Sequence, residues 1–132
     1  MKSLDTNIII RFLVNDDYKQ GELVKKLLLK AEKNSEVFFV SSAVVLEIIY
    51  VLDSVYGYSS EEIAAAFESM LLMPVLLFEN SEVIQKLLVS AYNTGIELED
   101  LLIGITAQEA GCEKTITFDK KAAKSDLFEL LR

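Results

Sequence analysis

Four carboxylates stand out in this chain by where they fall. Asp5 and Asp119 each come directly after a short apolar stretch that reads as a strand, at its carboxyl end. Glu47 lies inside "VVLEIIYVL", a segment apolar nearly all round, which predicts that it is shielded from bulk water. Asp100 opens "LEDLLIGITAQEAG" and shares a helical side with Ile103, Gly104 and Ala107, the side expected to face the interior. Isolated buried carboxylates are costly, and they protonate unless they are paired or bound to a metal. The chemistry such a set offers is that of a hard divalent cation, Mg²⁺ or Mn²⁺, which prefers oxygen ligands and keeps several waters.

Each of the four also has a simpler role open to it. Asp5 and Asp119 suit helix caps, Glu47 suits a core ion pair, and Asp100 suits the first turn of a helix, where the dipole favours an acid. Glu99 is a further acid beside Asp100, turned away from it on the helix and read as solvated.

Composition narrows the options. The 132 residues are 52% hydrophobic and 26% charged with one proline, which predicts one globular domain over residues 1–132 with a core of its own. Histidine is absent, so imidazole bases and imidazole metal ligands are excluded. Cys112 is the one cysteine, which excludes an internal disulfide; it reads as a small buried hydrophobe. Apolar runs stop well short of a bilayer span and no signal-peptide pattern opens the chain, so the expectation is a cytoplasmic protein without a membrane partner. The net charge of -8 opposes nucleic-acid binding in general, yet Lys120, Lys121 and Lys124 follow Asp119, and Arg11 lies about two turns after Asp5.

The elements that must position these groups alternate. "MKSLD" reads as a first strand, and "IIIRFLV" fits either a helix or a continuing strand. Residues 17–33 read as a helix burying Leu23, Leu27 and Ala31 with Lys25, Lys26, Lys30 and Lys33 mostly outward. "VFFV", "VLLF" and "TITF" read as strands at 37–40, 75–78 and 115–118. Helices are expected from the Ser41–Ser42 caps to Gly57, from Ser59 or Ser60 to about Leu72, from a Ser81 cap through Tyr92 with closure at Asn93 to Gly95, and over 98–111. A short helix follows Asp119, and "LFELL" fits a strand or a helical turn. Strands alternating with helices give a three-layer α/β/α sandwich around a central parallel sheet of four to five strands.

Taken in order, "LDTNIIIRFL", "VSSAVVLEIIYVL", "GIELEDLLIGITAQEAGC" and "TITFDKKAAK" resemble the PIN domain, and within it the VapC-like ribonuclease toxins of toxin–antitoxin modules. The resemblance implies metal-dependent RNA hydrolysis with Mg²⁺ or Mn²⁺, and it makes Asp5, Glu47, Asp100 and Asp119 the acidic, metal-binding quartet. It places Thr6, Asn7 and Thr117 in supporting polar positions. It also implies a homodimer and a small antitoxin partner, to which "IIYVLDSVYGY" and "EEIAAAFESMLLM" offer aromatic and methionine surface. Arg11, Lys120, Lys121 and Lys124 are the candidates for RNA contact. The alternative is a PIN-like interaction module without useful catalysis. A haloacid-dehalogenase-like phosphatase wants a second Asp where Asn7 stands, and a receiver domain wants adjacent acids where Thr6 follows Asp5.

Overall fold

The computed structural model describes every residue of the chain except Asn93. Its elements run β1 (Lys2–Ser3), α1 (Thr6–Leu13), α2 (Tyr18–Lys33), β2 (Phe38–Val40), α3 (Ser42–Ser54), α4 (Ser60–Leu71), β3 (Leu76–Phe78), α5 (Ser81–Ser90), α6 (Leu98–Glu109), β4 (Thr115–Thr117) and β5 (Phe128–Leu130). A single 3-10 turn, Ala122–Lys124, takes the place of the short helix expected after Asp119. "IIIRFLV" resolves as helix and "LFELL" as strand.

Every strand pairing is parallel, as the helical crossovers require. The α/β architecture is the expected one, but the five strands do not form one sheet among the described residues. β1, β2 and β3 form one sheet in that order, with Lys2 opposite Phe38 and Phe38 opposite Leu76. β4 and β5 pair separately, with Thr115 opposite Phe128. At two residues, β1 is too short for a long ladder.

One apolar core joins the elements, with Val40, Ile48, Ile49, Leu52 and Phe67 almost completely buried. Local chemistry fixes the helix starts. Ser41 accepts from Val44 N at 3.2 Å. Ser59 and Glu62 form a reciprocal capping box, at 3.1 and 3.0 Å.

Three expectations shift. The buried face of α2 is Gly21, Val24, Leu28 and Ala31, one residue on from the predicted Leu23 and Leu27, which are exposed. The cap position of α5 is Asn80 rather than Ser81, and the helix stops at Ser90, short of Tyr92; Asn93 lies outside the described residues. Cys112 is exposed, because Gly111 (φ 97°) ends α6 in a left-handed turn that carries it outward. Gly111 N bonds Gln108 O at 3.0 Å and Cys112 N bonds Ala107 O at 3.0 Å, the paired bonds of a Schellman cap.

Candidate active site

Parallel strands put all their carboxyl ends on one edge of a sheet, and that edge is where open α/β proteins bind ligands. Asp5 stands there, one residue beyond Leu4, whose N–H bonds Phe39 O at 3.0 Å. Its Oδ1 accepts the N–H of Thr6 at 2.7 Å and so caps α1, which leaves Oδ2 without a partner among the described residues. The capping role and a ligand role are therefore compatible. Thr6 is only 6% exposed, and its Oγ1 is buried with no hydrogen-bond partner. Asn7 beside it is exposed.

Glu47 projects from the second turn of α3 and is exposed, not shielded. The apolar run around it hides a two-sided helix: Val45, Ile48, Ile49 and Leu52 face the core, while Leu46, Glu47 and Tyr50 face out. α3 is held at its start from a neighbouring strand as well as by its own cap. Glu79, the residue after β3, accepts Ser42 N on Oε1 at 2.9 Å, and its own N–H bonds Val40 O at 2.9 Å. Sequence reading passed over Glu79; its signal was an acid directly after "VLLF".

Asp100 is half-buried in the first turn of α6. The helix buries Leu98, Leu101, Leu102, Gly104 and Ile105, so Asp100 goes with Ile103, which is 48% exposed, and with half-buried Ala107. The side expected to face the interior is thus the rim of an open groove of about 480 Å³ that Ile103 and Ala107 line together with Ala43, Leu46, Val83 and Ala110. Gly104 is the exception on that side. A Cβ there would lie 2.9 Å from both Leu127 Cβ and Phe128 Cε2, so its missing side chain lets β5 close onto α6.

The acid of α6 with a perturbed environment is Glu99. Partial burial is the main cause that pushes its carboxyl above the ordinary range; a bond from its own backbone opposes this, and the charges of Asp53, Glu97 and Asp100 add to it. Glu99, Glu97 and Asp53 line a small cleft with Tyr58, Ser59 and Ser60, so Glu99 is neither fully solvated nor aimed with Asp100.

Asp119 is exposed two residues after β4. Thr117 Oγ1 accepts its N–H at 3.0 Å, and Asp119 Oδ1 accepts from Lys121 N at 2.9 Å and Ala122 N at 3.3 Å. Thr117 therefore fixes the turn that presents Asp119, whose Oδ2 has no partner among the described residues. Lys120, Lys121 and Lys124 are exposed around it. Arg11 is already engaged: Nε donates to Gln20 at 2.6 Å, and Nη1 donates to Asp16 at 3.3 Å and to Tyr56 at 3.5 Å. Tyr56 in turn donates to Asp16 at 2.7 Å.

Among the described residues no three carboxylates or thiols come close enough together to hold one ion. The donor chemistry nevertheless suits a hard cation. All four acids offer oxygen, and none has a lysine or arginine partner among the described residues. Mg²⁺ commonly takes one or two carboxylates and fills its remaining positions with water and substrate oxygens, so a full cage is not required of the protein. The buried, unpartnered Thr6 hydroxyl adds a polar group beside Asp5.

A family model described as the PIN domain matches residues 3–126. A protein named VapC ribonuclease, from Aquifex aeolicus (strain VF5), is 23% identical to this chain over 124 residues, which cover 94% of this chain and 91% of that protein.

Proposed function

We propose that this chain, which belongs to the PIN-domain family, is a metal-dependent endoribonuclease and the toxin of a toxin–antitoxin pair. One observation carries the reading. Asp5 and Asp119 each follow a parallel strand, and each spends one carboxylate oxygen on its own turn while the other is left unbonded among the described residues.

In this reading Asp5 and Asp100 hold the cation, Mg²⁺ or Mn²⁺, and Glu47 and Asp119 complete its surroundings through water. The bound cation would supply charge to a phosphoryl oxygen and lower the pKa of a bound water. The chain's own groups do the rest. Asp5 and Asp119 are locked by backbone donors, so their free oxygens would face the cation and its waters pre-oriented. Thr6 offers a buried hydroxyl, with Asn7 beside it, and Thr117 keeps Asp119 in register. Lys120, Lys121 and Lys124 supply the positive charge that a chain of net charge -8 otherwise lacks at this edge, and Arg11 adds charge without a free fork.

The proposed protein partners are a small antitoxin and a second copy of the chain. The groove beside α3 and α6, with Leu46 and Ile103 exposed in it, supports an apolar partner segment. Among the described residues no helix is long and apolar enough to cross a membrane.

The test is titration of Mn²⁺ or Mg²⁺ into antitoxin-free protein with a labelled single-stranded RNA, beside Asp100→Asn. Metal-dependent cleavage lost in the variant supports the reading; absence of metal binding defeats it. A second reading, an interaction module without catalysis, is favoured by the spread of the acids among the described residues. Metal binding with no cleavage of any RNA would select it.

A further inference from the structure

The charge of this protein is sorted along the chain. Between residues 34 and 113 a single lysine, Lys86, stands against thirteen acids, while the first 33 residues carry seven basic residues and five acids. Five of those seven belong to α2.

Their spacing matters more than their number. At about 100° per residue, Lys19, Lys26, Lys30 and Lys33, at intervals of seven, four and three, fall within a strip roughly 60° wide. The strip runs about 21 Å along the helix, at 1.5 Å per residue. All four are exposed. None has an ion-pair partner among the described residues, whereas Lys25, off the strip on the side where Tyr18 lies, meets Glu22 at 3.5 Å. Tyr18 begins the helix on the flank of the strip, 77% exposed.

The topology separates this strip from the carboxylates. α2 ends four residues before Phe38 opens β2, so its last turns lie at the amino edge of the sheet. Leu27, Lys30 and Ala31 line one cleft with Met1, Lys2 and Phe38, which places them there. Asp5 stands at the opposite, carboxyl edge.

A row of solvated cations with an aromatic ring beside it is what a single strand of nucleic acid needs, since phosphates follow the charges and a base stacks on the ring. The acidic stretch over residues 34–113 repels the same strand elsewhere and leaves α2 as the favourable approach. We infer that the lysine strip of α2 is a second RNA-binding surface, one that holds the backbone of a long single strand away from the hydrolytic edge. The inference rests on the proposal that RNA is the substrate.

Binding measured without cleavage separates the two ideas. The probe is a labelled single-stranded RNA of about 20 nucleotides, followed by anisotropy in chelator over a salt series. Three proteins are compared: the native chain, a strip variant (Lys19, Lys26, Lys30 and Lys33→Gln), and a control losing the same charge elsewhere (Lys25, Lys86, Lys114 and Arg132→Gln). Circular dichroism establishes that each is folded. The strip variant is expected to bind at least about tenfold more weakly, with its log–log salt slope reduced by about 3, four phosphate contacts at roughly 0.7 each. The control keeps most of its slope, and Tyr18→Ala weakens binding about tenfold without changing it.

Equal losses in strip variant and control would overturn the inference, leaving only a net-charge effect. A native chain that binds no RNA would overturn it too. Unchanged RNA binding with a lost dimer, seen by light scattering, would assign the strip to a second copy's acidic half instead. If the strip holds RNA but the chain cleaves none, the nuclease proposal falls and the binding surface stands.

Discussion

Glu79 reaches from the end of β3 to the first N–H of α3, its Oε1 2.9 Å from Ser42 N, while its own N–H bonds Val40 on β2. The helix that carries Glu47 is thus pinned to the sheet edge from outside, in addition to its Ser41 cap. Glu79→Ala should cost about 1 kcal/mol, the loss of one charged acceptor at a helix start, and Glu79→Gln should restore most of it. Denaturant titration of both variants checks the stability. If Glu79 only braces the fold, cleavage per folded molecule stays native in both; a lower kcat in Glu79→Ala, rescued in Glu79→Gln, shows that it positions Glu47.

Asp5→Asn and Asp100→Asn should each lower RNA cleavage by two orders of magnitude or more, about 3 kcal/mol of transition-state stabilisation. Melting without metal should stay near native. An asparagine is as good a helix cap as the aspartate it replaces at the start of α1, and the Asp100 side chain makes no hydrogen bond or ion pair among the described residues. Cleavage assays with parallel thermal melts measure both effects. A variant that cleaves like the native chain removes its residue from the site.

Gly104→Ala should destabilise by about 1–3 kcal/mol, the usual penalty for overpacking. The new methyl would meet Leu127 Cβ and Phe128 Cε2, both at 2.9 Å. Phe128→Leu removes the ring atom at 2.9 Å, so the two changes together should cost less than the sum of each alone, which a double-mutant cycle in urea would read out.

Glu99 sets a pH dependence. Burial first, then the charges of Asp53, Glu97 and Asp100, raise its folded pKa above the 4.5 of a free glutamate. The folded state therefore favours the protonated acid. Its contribution is fully present below the unfolded value and is lost as pH rises through the raised folded value. Glu99→Gln should melt higher than the native chain at neutral pH, and the gap should close below about pH 4. A gap independent of pH would refute this.

Much of the architecture was legible because short β-branched and aromatic runs and serine caps speak locally. "VFFV", "VLLF" and "TITF" become strands within a residue or so, and Ser41 and Ser59 start helices where they should. What was not legible depends on which side of an apolar helix is covered. Nothing local in "VVLEIIYVL" says that Ile48 is buried and Tyr50 is open, so Glu47 read as shielded. The same ambiguity moved the face of α2 by one residue and left Asp100 half-buried on a groove rim rather than facing the interior. Glu79 was missed because its role is a contact across thirty-seven positions of sequence, and Cys112 because a left-handed glycine turns the chain outward just before it.

The division of the strands has a consequence for how this site can change. Strands sharing a ladder are held at a repeat of about 4.8 Å that no side chain can alter. Asp5 and Asp119 follow strands from separate sheets, so no such repeat sets the gap between them. It passes instead through side-chain packing such as the seating of β5 on α6, where Gly104 meets Leu127 and Phe128, and such contacts give way by tenths of an ångström with a change of side-chain volume. The spacing of the carboxylates is thus adjustable, through residues that no substrate touches.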